Sequence, residues 1–349
     1  MPQAIVIEES GGPETLRPRD VDPGAPGPGE LRVRQTAIGV NFHDVYVRSG
    51  LYQTLKLPGI PGVEAAGVVV AAGPGADGFA PGDRIAYITS SYGAYAAERI
   101  LPAGLALRLP DALGDVAAAS ILLKGMTACI LLQHVHQVGP GQTVLVHAAA
   151  GGVGQLLCRW ASHLGATVIG TAGNKQKAQI ARDCGAAHVI LYRSEDFVAR
   201  VHEITGGKGV AVAYDSVGKD TFLGSLECLA FLGKLVNFGQ ASGPVDPLPP
   251  SRLAARSNSL FRPVIFHIRA RACGAASDRR CHLPGDCRWR AASRNGVAAA
   301  ARAGGGGASR AGGAASVRFG RADPGNGITH ASMVHVWTSG NRGGGAGPP

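Results

Sequence analysis

The stretch Thr143-Val144-Leu145-Val146-His147-Ala148-Ala149-Ala150-Gly151-Gly152-Val153-Gly154-Gln155 carries an apolar, β-branched run into a glycine turn and then into helical sequence. That order suits a nucleotide-binding strand-to-helix turn. Gly152 would let backbone approach a pyrophosphate, Gly154 would let helix and strand pack closely, and the helix start would offer N–H donors at a positive dipole end. Gly151 and Val153 complete the turn, while Ala149 stands where the GxGxxG fingerprint has its first glycine. A purely structural turn is the alternative, and the flanking sequence weighs against it.

Downstream, helical Gln155 to Leu164 leads to strand-like Ala166 to Gly170, helical Lys175 to Cys184 and strand-like His188 to Ile190. Val210 to Asp215 and Gly233 to Phe238 are further candidate strands. Strands alternating with helices predict right-handed βαβ units and a doubly wound parallel sheet over 126–267. Upstream, short apolar runs at Ala4 to Ile7, Leu31 to Val33, Gly67 to Val70 and Arg84 to Tyr87 are punctuated by Gly, Pro and Asp. That rhythm predicts a β-rich, barrel-like domain over 1–125, with an Ala-rich helical crossover starting near Asp115. The fold class is therefore α/β with two domains.

At the end of the strand after the glycine turn, an Asp or Glu would bind the ribose 2′-hydroxyl of NAD. Here the sequence is Gly170-Thr171-Ala172-Gly173-Asn174-Lys175-Gln176-Lys177. With no carboxylate to repel a 2′-phosphate and two lysines to attract one, NADPH is the expected cofactor. A solvated helix face would also carry such lysines.

Four stretches together resemble the zinc-free quinone oxidoreductases, the zeta-crystallin-like family of the medium-chain dehydrogenase/reductase superfamily. They are Gly39-Val40-Asn41-Phe42-His43-Asp44-Val45-Tyr46, Gly62-Val63-Glu64-Ala65-Ala66-Gly67, Leu123-Lys124-Gly125-Met126-Thr127-Ala128, and Ala148 to Gly154. Tyr214-Asp215-Ser216-Val217-Gly218 adds a fifth. The resemblance covers residues 1 to about 267. It implies a GroES-like β-barrel domain followed by a Rossmann domain, usually as a homodimer. It places Asn41, Tyr46 and Tyr52 beside the nicotinamide and the substrate, with packing as the alternative role for both tyrosines. Cofactor contacts would fall on Thr127, Gly152, Val153, Gly173, Lys177, Tyr192, Ser216, Phe238 and Ser242.

Zinc-binding relatives carry a Cys ahead of the Asp in the first stretch and a His before the Glu in the second. This chain has Asn41 and Val63 there, and no Cys before Cys129. Tetrahedral zinc needs Cys, His or carboxylate ligands, so no metal site is expected. Without a Lewis acid, the fitting substrates already accept electrons readily, namely quinones and enones. No general acid stands out: His43 is a wall residue or a proton donor, and Asp44 and Glu64 suit structural roles.

Seven cysteines without a CxxC pair suit reduced thiols in a cytoplasmic protein. No apolar run approaches the roughly 18 residues of a spanning helix, and Met1 to Glu8 lacks a signal-peptide pattern, so no membrane partner is expected. The net charge of +10 is misleading: residues 268–349 hold 12 Arg, no Lys, 3 Asp and no Glu. The remaining 22 basic and 21 acidic residues nearly cancel. Those last 82 residues also contain 17 Gly, 18 Ala and one Leu, too little apolar sequence for a core. They suit a GC-rich gene translated out of frame after His267. A basic tail binding nucleic acid is the rival, weakened by sparse aromatics. Such a tail leaves a second functional class open, a catalytically impaired nucleotide- or RNA-binding relative.

Overall fold

The computed structural model describes residues 1–268 and the backbone of one short strand at Val336–Trp337. Both readings of the Gly/Ala/Arg-rich segment therefore lie outside the described residues. Two compact units divide between Leu123 and Lys124.

The first unit is built on antiparallel strands. β1 (Gln3–Val6) pairs with β2 (Arg17–Asp20). The main sheet comprises β3 (Glu30–Gly39), β4 (Glu64–Ala72), β5 (Arg84–Ile88), β6 (Glu98–Pro102) and β7 (Ala106–Arg108). β3 pairs along its length with β4, while its other edge takes β6 over Glu30–Arg34 and the Val336–Trp337 strand at Ile38 and Gly39. Alternation on these strands buries Leu31, Val33, Val69, Ile85, Tyr87 and Leu101 in one core. A short helix, α1 (Phe42–Arg48), follows β3.

α2 (Asp115–Cys129) starts where Asp115 accepts Arg84 Nη2 at 2.6 Å and Thr36 Oγ1 at 2.6 Å. It passes directly into a π turn, Ile130–Val135. Together, Asp115–Val135 is long and apolar enough to cross a membrane by composition, with an 18-residue window of mean hydropathy 1.7, which corrects the sequence expectation that no such run exists. Half of that window is buried within the protein.

The second unit alternates β8 (Thr143–Val146), α3 (Gly152–His163), β9 (Thr167–Ala172), α4 (Lys175–Asp183), β10 (His188–Leu191), α5 (Phe197–Thr205), β11 (Val210–Asp215), α6 (Phe222–Glu227) and β12 (Leu229–Asn237). β13 (Ser259–Phe261) closes the sheet. Every pairing is parallel, in the order β10-β9-β8-β11-β12-β13. The order reverses between β8 and β11, so the crevice beyond the carboxyl end of β8 is the topological switch point. Leu145, Ile169, Ile190, Val201, Ala213, Leu229 and Leu235 fill the core on one sheet face. The last strand ends at Phe261: Pro263, lacking an N–H, stands two residues beyond it, and Ile265 begins a helical turn.

Candidate active site

In the first unit, the site is assembled around a buried carboxylate. Glu64, fully buried on β4, accepts Asn41 Nδ2 at 2.9 Å and the Leu123 backbone N–H at 2.6 Å. Asn41 is also the N-cap of α1, and its own backbone N–H donates to Asp44 at 2.9 Å. Tyr95 donates its hydroxyl to the same Asp44 oxygen at 3.0 Å. Gly39 makes room for this arrangement, since a Cβ there would stand 2.2 Å from the Ala119 carbonyl. Both acids thus help to hold Asn41 and α1.

Beside them an aromatic wall gathers. Tyr46 is buried, with its ring 5.1 Å from Phe42 and 4.9 Å from Tyr52. Tyr52 also meets the His43 ring edge-on at 5.6 Å. Tyr92, absent from the sequence-based set, stacks on His43 at 5.9 Å with planes 12° apart. Burial lowers the His43 pKa and leaves a neutral imidazole as the resting form at pH 7.

In the second unit, the turn after β8 follows the expected pattern. Gly151 caps α3 with no side-chain capping bond, so the first backbone N–H groups of the helix face outward from its start. A Cβ at Gly154 would stand 2.3 Å from the Ala148 carbonyl, so only glycine permits this helix-to-strand approach. At Gly152 a Cβ would meet the flexible Lys124 side chain at 2.8 Å instead. Ala148 itself adopts φ +51°, a left-handed conformation uncommon for alanine.

The carboxyl ends of β9 and β10 bring cations together. Lys177, in the first turn of α4, has its pKa lowered by burial and then by the charge of Arg193. A Cβ on Gly173 would lie 3.0 Å from the Tyr192 hydroxyl and 3.6 Å from Arg193 Nε. Asn174 caps α4 by accepting the Lys177 N–H at 2.8 Å. Tyr192 and Arg193 thus flank Gly173, and the Arg193 charge reaches Lys177. No carboxylate follows β9 before α4.

Ser216, Phe238 and Ser242 lie beyond β11 and β12 at the same end of the sheet. Phe238 N–H donates to the Asp215 carbonyl at 2.8 Å, and Ser242 Oγ donates to the Val217 carbonyl at 2.9 Å. Asp215 accepts the N–H groups of Val217 and Gly218 and the Thr221 hydroxyl, which fixes that loop. Thr127 is buried on α2.

Known proteins match both units. Residues 27–111 match the alcohol dehydrogenase GroES-like domain, and 152–272 match the zinc-binding dehydrogenase family. A quinone oxidoreductase of Salmonella typhimurium is 50% identical over 245 residues, covering 70% of this chain and 75% of that protein. A 2-haloacrylate reductase of a Burkholderia species is 45% identical over 288 residues, covering 80% and 86%. The Escherichia coli quinone oxidoreductase complexed with NADPH superposes with a TM-score of 0.78 at 40% identity, over 86% of this chain and 88% of that one. The chain belongs to the quinone oxidoreductase family.

Within this family framework, the first unit is the GroES-like domain and the second the Rossmann domain. Where zinc-binding relatives carry Cys and His, this chain has Asn41 and Val63. Asn41 spends its amide on Glu64, Val63 is fully buried, and no three His, Cys, Asp or Glu side chains gather among the described residues. Sequence reasoning missed Arg193 and Tyr92. Arg193 had a signal: it follows Tyr192 at the end of the strand beside β9, and neighbouring parallel strands bring their carboxyl ends together.

Proposed function

We propose that this quinone oxidoreductase relative uses NADPH to reduce quinones or similar electron-poor acceptors, without zinc. The observation that carries the reading is the pairing of Lys177 with Arg193 beside Gly173 and Tyr192, with no carboxylate between β9 and α4. Two cations held together favour an anion, and a 2′-phosphate is the group that separates NADPH from NADH. NADPH supplies the hydride. The start of α3 binds its pyrophosphate, and Thr127, Ser216, Phe238 and Ser242 contribute further contacts. Asn41, Tyr46 and Tyr52 orient the ring systems.

Asn41 and Val63, standing where zinc-binding relatives carry Cys and His, support acceptors that need no Lewis acid. The described cysteines, Cys129, Cys158, Cys184 and Cys228, are free and buried, which suits a reducing cytoplasm. A homodimer is supported by β13, an edge strand with Leu260 and Phe261 about 40% exposed.

The test is NADPH fluorescence titration followed by turnover with a simple quinone. Tight NADPH binding, weak NADH binding and turnover are expected. Binding without turnover would favour the impaired nucleotide-binding relative, and no binding would refute both.

A further inference from the structure

The GroES-like unit contains a hydrogen-bonded chain that neither the family likeness nor the cofactor reading accounts for. Tyr92 Oη lies 3.1 Å from His43 Nε2 and is in close hydrogen-bond contact with Thr54 Oγ1. Thr54 is exposed, Tyr92 is buried, and His43 is half-buried against Tyr52. The chain therefore leads from solvent to the aromatic wall. Its middle member is held in a strained conformation: Tyr92 has φ +59°, costly for a residue with a side chain. Arg99 Nη1 donates to the Tyr92 carbonyl at 2.6 Å, and Gly93 N–H to the Ile60 carbonyl at 2.8 Å, which fix that backbone.

We infer that Thr54, Tyr92 and His43 form a proton relay that protonates the acceptor oxygen during reduction. This rests on the reductase reading above. Reduction adds a hydride from NADPH to the acceptor, forming one bond to hydrogen and leaving the electron pair as negative charge on the acceptor oxygen. His43 then gives its Nδ1 proton to that oxygen. Its Nε2 takes the phenolic proton of Tyr92, Tyr92 takes the hydroxyl proton of Thr54, and Thr54 is refilled from water. The products are the reduced acceptor, NADP+ and the hydroxide left by the water that refills Thr54; every relay group is neutral, and exchange with water restores the Nδ1–H tautomer of His43. Burial favours these neutral forms, lowering the His43 pKa and raising that of Tyr92.

Tyr92→Phe keeps the ring and breaks the chain. It should lower single-turnover reduction about tenfold or more, within the range of general acid catalysis. NADPH affinity and the acceptor KM should stay at wild-type values. In mixed H2O and D2O, the bowed proton inventory of the wild type should become linear, and the 15N resonance of His43 Nε2 should shift. Thr54→Val, at an exposed position, should give a smaller loss in the same direction. An unchanged reduction rate and inventory in Tyr92→Phe, with NADPH still bound, would overturn the relay alone. A wild-type protein that binds NADPH and reduces no acceptor would overturn the reductase reading and the relay with it.

Discussion

The glycine turn of the Rossmann unit and the aromatic wall of the GroES-like unit are built by opposite means. The turn works through missing atoms: Gly151, Gly152 and Gly154 expose backbone and let α3 approach β8. The wall works through side chains brought from α1, from the segment around Tyr52 and Thr54, and from the loop at Tyr92. A site made of backbone depends on steric space and forgives little. A site made of side chains depends on hydrogen bonds and contacts that can be removed one at a time.

The sharpest way to break the contrast is Gly154→Val. Its Cβ would meet backbone at 2.3 Å, which cannot swing aside. We expect a loss of about 3 kcal/mol in urea denaturation, as for severe overpacking, together with loss of NADPH binding. Gly152→Ala is the control, because there the obstacle is the end of Lys124. It should fold normally, and any effect should appear in nucleotide affinity.

The next largest effect tests the cation pair. Lys177→Ala and Arg193→Ala should each weaken NADPH binding roughly 10- to 30-fold, the worth of one charge-assisted contact, while NADH affinity stays unchanged in the same titration. Equal losses for both nucleotides would remove the 2′-phosphate role.

The smallest effect concerns pH. His147 is fully buried between Thr171 Oγ1 at 3.1 Å and Ser225 Oγ at 2.9 Å. Burial lowers its pKa from 6.5, partly opposed by the Asp215 charge. Below pH 6.5 the unfolded chain therefore binds a proton that the native chain does not, and stability falls as pH drops toward the folded pKa. Denaturation midpoints should decline from pH 7 to pH 5, and His147→Gln should flatten that slope.

The same contrast explains what was legible. The Rossmann half could be read because its signals are local: a strand, a turn and a helix follow one another between Thr143 and His163, and the pattern repeats along the chain. Lys177 and Gly173 fall within one such unit, whereas Arg193 needed the next strand to be placed beside it. The first unit was legible as β-rich, but His43 and Tyr92 are 49 residues apart and meet only through long-range folding. No periodicity marks such a contact. The exposed end of the relay, Thr54, carried no signal at all. The apolar run at Asp115–Val135 is broken up in the sequence by Ser120 and Lys124, although its hydropathy stays high.

Ala148 at φ +51° gives the cofactor turn a further property. Its carbonyl accepts the Gly151 N–H at 2.8 Å, and its own N–H donates to Thr171 at 3.3 Å, so the turn is locked from both sides. Folding thus settles an unfavourable backbone conformation before any nucleotide arrives. A phosphate reaching α3 meets donors already aimed, and capture then depends on diffusion and charge, with little loop ordering left to accomplish.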